Sequence, residues 1–314
     1  MTNNKLRKND NRFYESPLKR AINGFLVGVL ILISYLPFWF IYGLSDIIYL
    51  LLTNIIRYRY KVITQNLKNA FPEKSKKEIT RIRNKFYRHF CDLFFEAIKL
   101  YSMTEKELTS RFSIKGVDLV NKYFDEGKSI IAFAFHHNNW EWCSYLAKQT
   151  KHLVLMVYNP VRGNHAMEKF LLHSRGKWGG EAVPVHKTAR TTISYNLKGQ
   201  LTGLWLAADQ TPLANSKFWT IFLNQETPFF SGPEKIATKT NQPVFFQHVR
   251  KLKRGHYEVE YSLLFEEPQK VAEKEILLLY IRKMEEIIKQ EPEYYLWSHR
   301  RWKHIRPEGI PLTT

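Results

Sequence analysis

The stretch that decides the fold is Ser129–Trp142, SIIAFAFHHNNWEW, where a charge-free apolar run ends in two histidines, two asparagines and a glutamate. Ser129 to Phe135 reads as a strand buried on both faces, because a half-buried strand would alternate apolar with polar residues. The end of such a strand is where an open α/β sheet carries its chemistry. Asn138 followed three residues later by Glu141 has the spacing of a helix start, so the expected local structure is strand, tight turn bearing His136 and His137, then helix. The residues on either side supply the layers. His152–Tyr158, Ala182–Val185, Leu204–Ala208, Phe218–Leu223 and Pro243–Val249 read as strands, and His256–Leu264 alternates as an edge strand would. Between them lie helical stretches at Asp118–Glu126, Ala166–Trp178, Arg190–Leu197, Pro233–Thr240 and Ala272–Lys289. Strands interleaved with helices predict an α/β domain with a mostly parallel central sheet flanked by helices.

Further upstream, Ser75 and Glu78 form a capping box, and the following apolar positions Ile79, Ile82, Phe86, Phe90, Leu93 and Ala97 recur at helical spacing. Thr104 with Glu107 repeats the capping signature. Between residues 21 and 56 only Asp46 is charged, a length that exceeds the roughly 20 helical residues needed to cross a hydrocarbon core. The expected organisation is a basic lead over 1–20, a membrane anchor or interfacial helices over 21–56, and one globular domain over 57–314. Pro37 either kinks one tilted span or separates a span from a second helix along the surface. A cleaved signal peptide fits less well, since the apolar stretch is too long.

The 314 residues are 44% hydrophobic and 15% aromatic, enough for a large core and incompatible with a disordered chain. Forty-eight Lys and Arg against 29 Asp and Glu leave a net charge of +19, which favours an anionic partner. The basic residues are dispersed and no nucleic-acid motif appears, so a lipid surface or an acidic protein is the better match. The two cysteines, Cys91 and Cys143, lack the spacing of a disulfide framework or a zinc site, and no histidine spacing points to a metal.

The turn itself suits general base catalysis. A histidine at a strand tip is neutral and proton-accepting near pH 7, and a carboxylate beside it sets the tautomer. His136 with Glu141 can meet at one rim if the chain folds back, and Glu141 can equally be the carboxylate of a capping box with Asn138.

The spacing His136-x4-Glu141 within HHNNWEW resembles the H-x-G-N-W-E block of the lipid A biosynthesis acyltransferases, which are related to glycerolipid and lysophospholipid acyltransferases with an HX4D/E motif. NLKNAFPEKS at 66–75, HSRGKWGG at 173–180, AADQTP at 207–212, TPFFSGPEKIATKTNQPVFF at 227–246 and YYLWSHRRWKHIRP at 294–307 are similar to that family's remaining blocks, in its order. Asn138 stands where the family usually has glycine, and Ala208 replaces a proline. This resemblance implies a glycerolipid-acyltransferase-like fold and an acyltransferase for groups other than aminoacyl groups, working without a cofactor or metal. The donor would be acyl carrier protein thioester, or acyl-CoA, and the acceptor a hydroxyl of a lipid A precursor in lipopolysaccharide biosynthesis. The setting would be the cytoplasmic face of the cell inner membrane. It further implies His136 as general base with Glu141 orienting the ring. Arg175, with Lys177 assisting, would bind a lipid phosphate or the acyl donor, and Asp209 the sugar acceptor or Arg175. Asn139 joins the substrate-binding set, and Arg300 and Arg301, interleaved with Trp297 and Trp302, would sit at headgroup depth. Backbone N–H groups of the turn would stabilise the oxyanion. Acylation of another glycolipid, aminolipid or lysophospholipid is the second reading within the class, and a non-catalytic membrane-surface protein the rival outside it.

Overall fold

In the computed structural model, residues 14–314 are described. Seven strands form the central sheet: β1 (Phe112–Lys115), β2 (Ile130–Ala134), β3 (Leu153–Tyr158), β4 (Glu181–Pro184), β5 (Thr202–Ala207), β8 (Val244–Lys253) and β9 (His256–Phe265). Their order is β1-β9-β8-β2-β5-β3-β4, and every neighbouring pair is parallel except the β8–β9 hairpin. β6 (Trp219–Phe222) and β7 (Gln225–Pro228) form a separate antiparallel hairpin.

β2 lies at the middle of the sheet with all five residues buried. Its alternate side chains feed two apolar layers, which is why the sequence there shows no polar face. Ile131 and Phe133 join one layer with Leu204, Leu206, Val244 and Phe246; Ile130 and Ala132 join the other with Trp205 and Phe245. The helices are α1 (Pro17–Ser34), α2 (Phe38–Leu50), α3 (Tyr60–Ala70), α4 (Lys76–Leu100), α5 (Glu105–Thr109), α6 (Val117–Asp125), α7 (Leu146–Gln149), α8 (His165–Gly176), α9 (Thr188–Leu197), α10 (Gly232–Thr240) and α11 (Glu275–Gln290); α1 packs on α4 and α8 rather than on the sheet. The capping boxes of α4 and α5 form as their spacing predicts, with Ser75 and Thr104 each exchanging bonds with the glutamate three residues on.

Pro37 separates the two apolar helices, standing at the N-cap of α2 in extended conformation. Pro17–Ser34 and Phe38–Ile55 are each long and apolar enough to cross a membrane by length and composition. Both also carry polar ties to the domain: Asn23 donates to the Gly163 carbonyl, Ser102 donates to the Ser34 carbonyl, and Ser45 donates to Asp92.

Three expectations change. β9 is not an edge strand, because the unforeseen four-residue β1 pairs along it; a strand that short carries too little periodicity to be read. Phe218–Leu223 does not extend the central sheet: Leu223 and Asn224, both at positive φ, turn it straight back into β7. The expected helix after Asn138 begins later, as a 3-10 turn at Trp142–Tyr145 followed by α7. Asn138 is instead the pivot of the turn at φ 54°, the left-handed region that glycine favours and asparagine tolerates better than most residues. Asn139 provides the cap, its Oδ1 accepting from the Trp142 N–H at 3.2 Å.

Candidate active site

β2 and β5 are neighbours in parallel register, Ala134 opposite Ala207. Two residues beyond each, at the same carboxyl edge, the chain places His136 and Asp209. Their side chains therefore meet without any loop having to fold over. His136 Nδ1 donates to Asp209 Oδ1 at 2.7 Å, and the His136 backbone N–H donates to Asp209 Oδ2 at 3.0 Å. Because an ionised carboxylate only accepts, the proton of neutral His136 sits on Nδ1 and the lone pair on Nε2. Gln210 Nε2 donates to that lone pair at 3.0 Å, and the Trp140 ring stands edge-on to the imidazole at 4.9 Å between centroids.

The carboxylate on the His136 ring is thus Asp209, in place of Glu141. Glu141 turns away from the ring and pairs with Arg175, whose Nε and Nη2 reach Oε2 and Oε1 at 2.9 and 2.5 Å; Trp140 Nε1 adds a bond at 3.1 Å. Glu141 still bears on His136 through its charge. Burial opposes protonation of His136, but Asp209, with help from Glu141, outweighs burial and Arg175 and raises the imidazole pKa above its ordinary value. Burial likewise opposes ionisation of Asp209, yet His136, by charge and hydrogen bonds, and Arg301 hold it below the usual carboxylate range. Glu141 is held low against burial by Arg175.

The other expected residues divide. Arg175 lines the cleft beside His136, but with its guanidinium fork already filled by Glu141. Lys177 does not assist there: its Nζ donates to the carbonyls of Leu100, Tyr101 and Met103 at 3.1, 3.1 and 2.7 Å, closing the end of α4. Asn139 is buried, donating to Glu96 at 2.8 Å while capping the turn, so it supports the site from below and touches no cleft. Arg301 is also buried; it donates to the Pro228 carbonyl at 2.7 Å and lies over the Phe229 ring. Arg300 is exposed. Gln210 and Trp140 lay inside sequence blocks already singled out, but which side chain reaches His136 depends on the β2–β5 register, which no local spacing encodes.

His137 faces the interior, stacked on Phe135, and burial followed by His248 pushes its pKa down to about 3. Ligand atoms of His137, His248 and Glu291 lie within 4.8 Å of one another, a donor set suited to a cation. Both His137 nitrogens are already in hydrogen bonds, to the Asn138 amide and the Glu291 carbonyl, and Arg250 stands by His248.

His136 and Gln210 open onto a cleft of about 2040 Å³, beyond the range of ordinary small-molecule pockets. Val157, Leu171, Ile193, Leu206 and Ile236 give it apolar wall, while Lys187, Lys235, Lys239 and Lys303 give it cations. A neutral imidazole with its Nε2 lone pair on the side of an amphipathic cleft is equipped to take a proton from a bound hydroxyl that displaces the Gln210 amide. Residues 15–304 match the family model described as bacterial lipid A biosynthesis acyltransferase. Comparison with curated proteins gives no match.

Proposed function

We propose a specific reaction on the premise that the chain belongs to the bacterial lipid A biosynthesis acyltransferase family: transfer of a fatty acyl chain from acyl carrier protein thioester to a hydroxyl of a lipid A precursor. His136 Nε2 takes the proton from the acceptor hydroxyl as its oxygen attacks the thioester carbonyl, and returns it to the departing thiolate. Asp209 holds the tautomer and stabilises the imidazolium. The thiol is already a good leaving group, so the chain supplies no nucleophile of its own. The observation that carries this reading is the Nδ1–Oδ1 bond of 2.7 Å, which commits the lone pair of His136 to the cleft side.

The apolar wall suits an acyl chain. The lysines suit the phosphates of an anionic glycolipid or of the donor's phosphopantetheine arm, and the net charge of +19 suits an acidic carrier protein. With the family, the two apolar helices support membrane association; a carrier-protein donor, as proposed, favours a cleft on the cytoplasmic face of the inner membrane.

His136→Ala should lower acyl transfer by about two orders of magnitude or more, as loss of a general base does. Mass spectrometry of lipids from cells with and without the protein identifies the acceptor and the chain transferred. Unchanged turnover in the alanine variant defeats the base assignment; loss of an acyl group from a different lipid moves the substrate within the acyltransferase class.

A further inference from the structure

The tetrahedral intermediate of acyl transfer carries its charge on the former carbonyl oxygen, and a preorganised N–H donor there is worth more than most other contributions. The turn backbone is the obvious source, but most of its N–H groups are spent, those of Asn139 and Glu141 excepted. The N–H of His136 goes to Asp209, that of His137 to the Phe135 carbonyl, that of Asn138 to Tyr294, and that of Trp140 to Asn138. Those of Trp142 and Cys143 go to the Asn139 side chain and the Trp140 carbonyl. Arg175 is bound into its pair with Glu141.

We infer that the side-chain amide of Gln210 is the oxyanion donor of this site, an assignment that rests on His136 acting as the base. Gln210 is held on both sides. Asp209 before it is locked to His136 by two bonds, and Thr211 after it bonds His299 through its N–H at 3.2 Å and the Arg301 carbonyl through its hydroxyl at 2.8 Å. The amide therefore lies on the base's lone pair because its backbone is placed there. An entering hydroxyl takes over that lone pair and releases the Gln210 N–H beside the reacting carbon. As the C–O bond forms, the proton moves to His136 Nε2 and the carbonyl π pair moves onto oxygen, where the Gln210 N–H meets it. Collapse then re-forms the carbonyl, breaks the C–S bond, and the thiolate takes the proton from Nε2. The amide returns to the lone pair when product leaves, so the same group covers the base between turnovers.

The test uses the full chain in detergent micelles, with acyl carrier protein thioester as donor, lipid A precursor as acceptor and thiol release as readout. Gln210→Ala should lower kcat by about 10²–10³-fold, the usual cost of one oxyanion donor, with KM changed by less than about threefold. Its acidic limb of kcat/KM should move to higher pH, since an N–H donor on the lone pair favours the neutral ring. The charged groups that bear on His136, namely Asp209, Glu141, Arg175 and His299, are all retained in that variant. Gln210→Glu should lose at least as much, because it sets an anion against the developing oxyanion; it serves equally should the alanine variant fail to fold. A kcat within about threefold of the parent, or a loss carried wholly by KM, overturns the inference. His136→Ala run alongside separates the failures: if it is inactive while Gln210→Ala turns over, only the donor assignment falls, and if it too turns over, the base assignment beneath it has failed.

Discussion

Asp209→Asn is the perturbation whose outcome the geometry constrains most tightly. Asp209 is 2% exposed and accepts two hydrogen bonds from one residue, the His136 N–H at Oδ2 and the ring Nδ1–H at Oδ1. An asparagine has only one acceptor to offer. The backbone N–H cannot change its role, so the amide oxygen stays opposite it and the NH2 falls on Nδ1. Nδ1 must then become the acceptor, which moves the proton of the neutral ring to Nε2 and leaves the cleft side without a lone pair. Where the same exchange fixes the wrong tautomer in a serine protease triad the cost in kcat is about 10⁴, so a loss of about 10³–10⁴-fold, roughly 4–5.5 kcal/mol, is expected here. The pH profile has a definite sign. Asp209 raises the pKa of His136 against burial, and a base works only when deprotonated, so its removal moves the acidic limb of kcat/KM to lower pH. Nitrogen-15 NMR of labelled histidine reads the tautomer directly. Glu141→Gln is the control: it also removes a charge that raises the His136 pKa, but leaves the Asp209 bonds intact, so Nδ1 keeps its proton. If Asp209→Asn costs less than about tenfold, or if Glu141→Gln is the variant that flips the tautomer, Asp209 is not the residue that orients the base.

Three further outcomes follow from the same contacts. Lys177→Met removes the ammonium that closes three carbonyls at the end of α4, so denaturant unfolding should show about 1–3 kcal/mol of lost stability while the KM for either substrate stays put; a raised KM with normal stability would return Lys177 to the substrate site. Asn138→Gly should be less costly than Asn138→Ala by about 1 kcal/mol, because both lose the 2.8 Å bond to the Val249 carbonyl but only alanine is strained at φ 54°; equal costs mean the turn relaxes out of the left-handed region. Phe25, Leu32 and Trp39 are 72, 71 and 74% exposed on α1 and α2. Replacing all three with lysine should cut co-sedimentation with lipid vesicles while leaving thermal unfolding nearly unchanged, and undiminished sedimentation would take this face out of membrane contact.

Much of the molecule was legible in the linear chain. A charge-free run bounded by polar residues has to be a strand buried on both faces, and β2 is one. Capping boxes and helical periodicity depend on neighbours three and four positions away, so Ser75 and Thr104 start their helices where the spacing says. The ordered blocks were enough for the family, and the family match covers them as far as His304. Local patterns fell short where a partner decides the outcome. His256–Phe265 looks like an edge strand until β1 covers it, and Lys177 looks like a phosphate ligand until the end of α4 takes its three protons.

The stretch 129–142 by itself determined that a histidine would stand at the end of a buried strand, because apolar composition and its abrupt polar end are local properties. It could not determine which carboxylate that histidine would meet. Glu141 is five positions away along the chain and Asp209 seventy-three, yet only Asp209 touches the ring. The register of β2 on β5 sets Ala134 against Ala207 and carries His136 and Asp209 forward side by side, while Arg175 from α8 draws Glu141 aside. Register between strands is fixed by packing on both faces of the sheet, a sum over many distant contacts, so it exists only once the chain has folded.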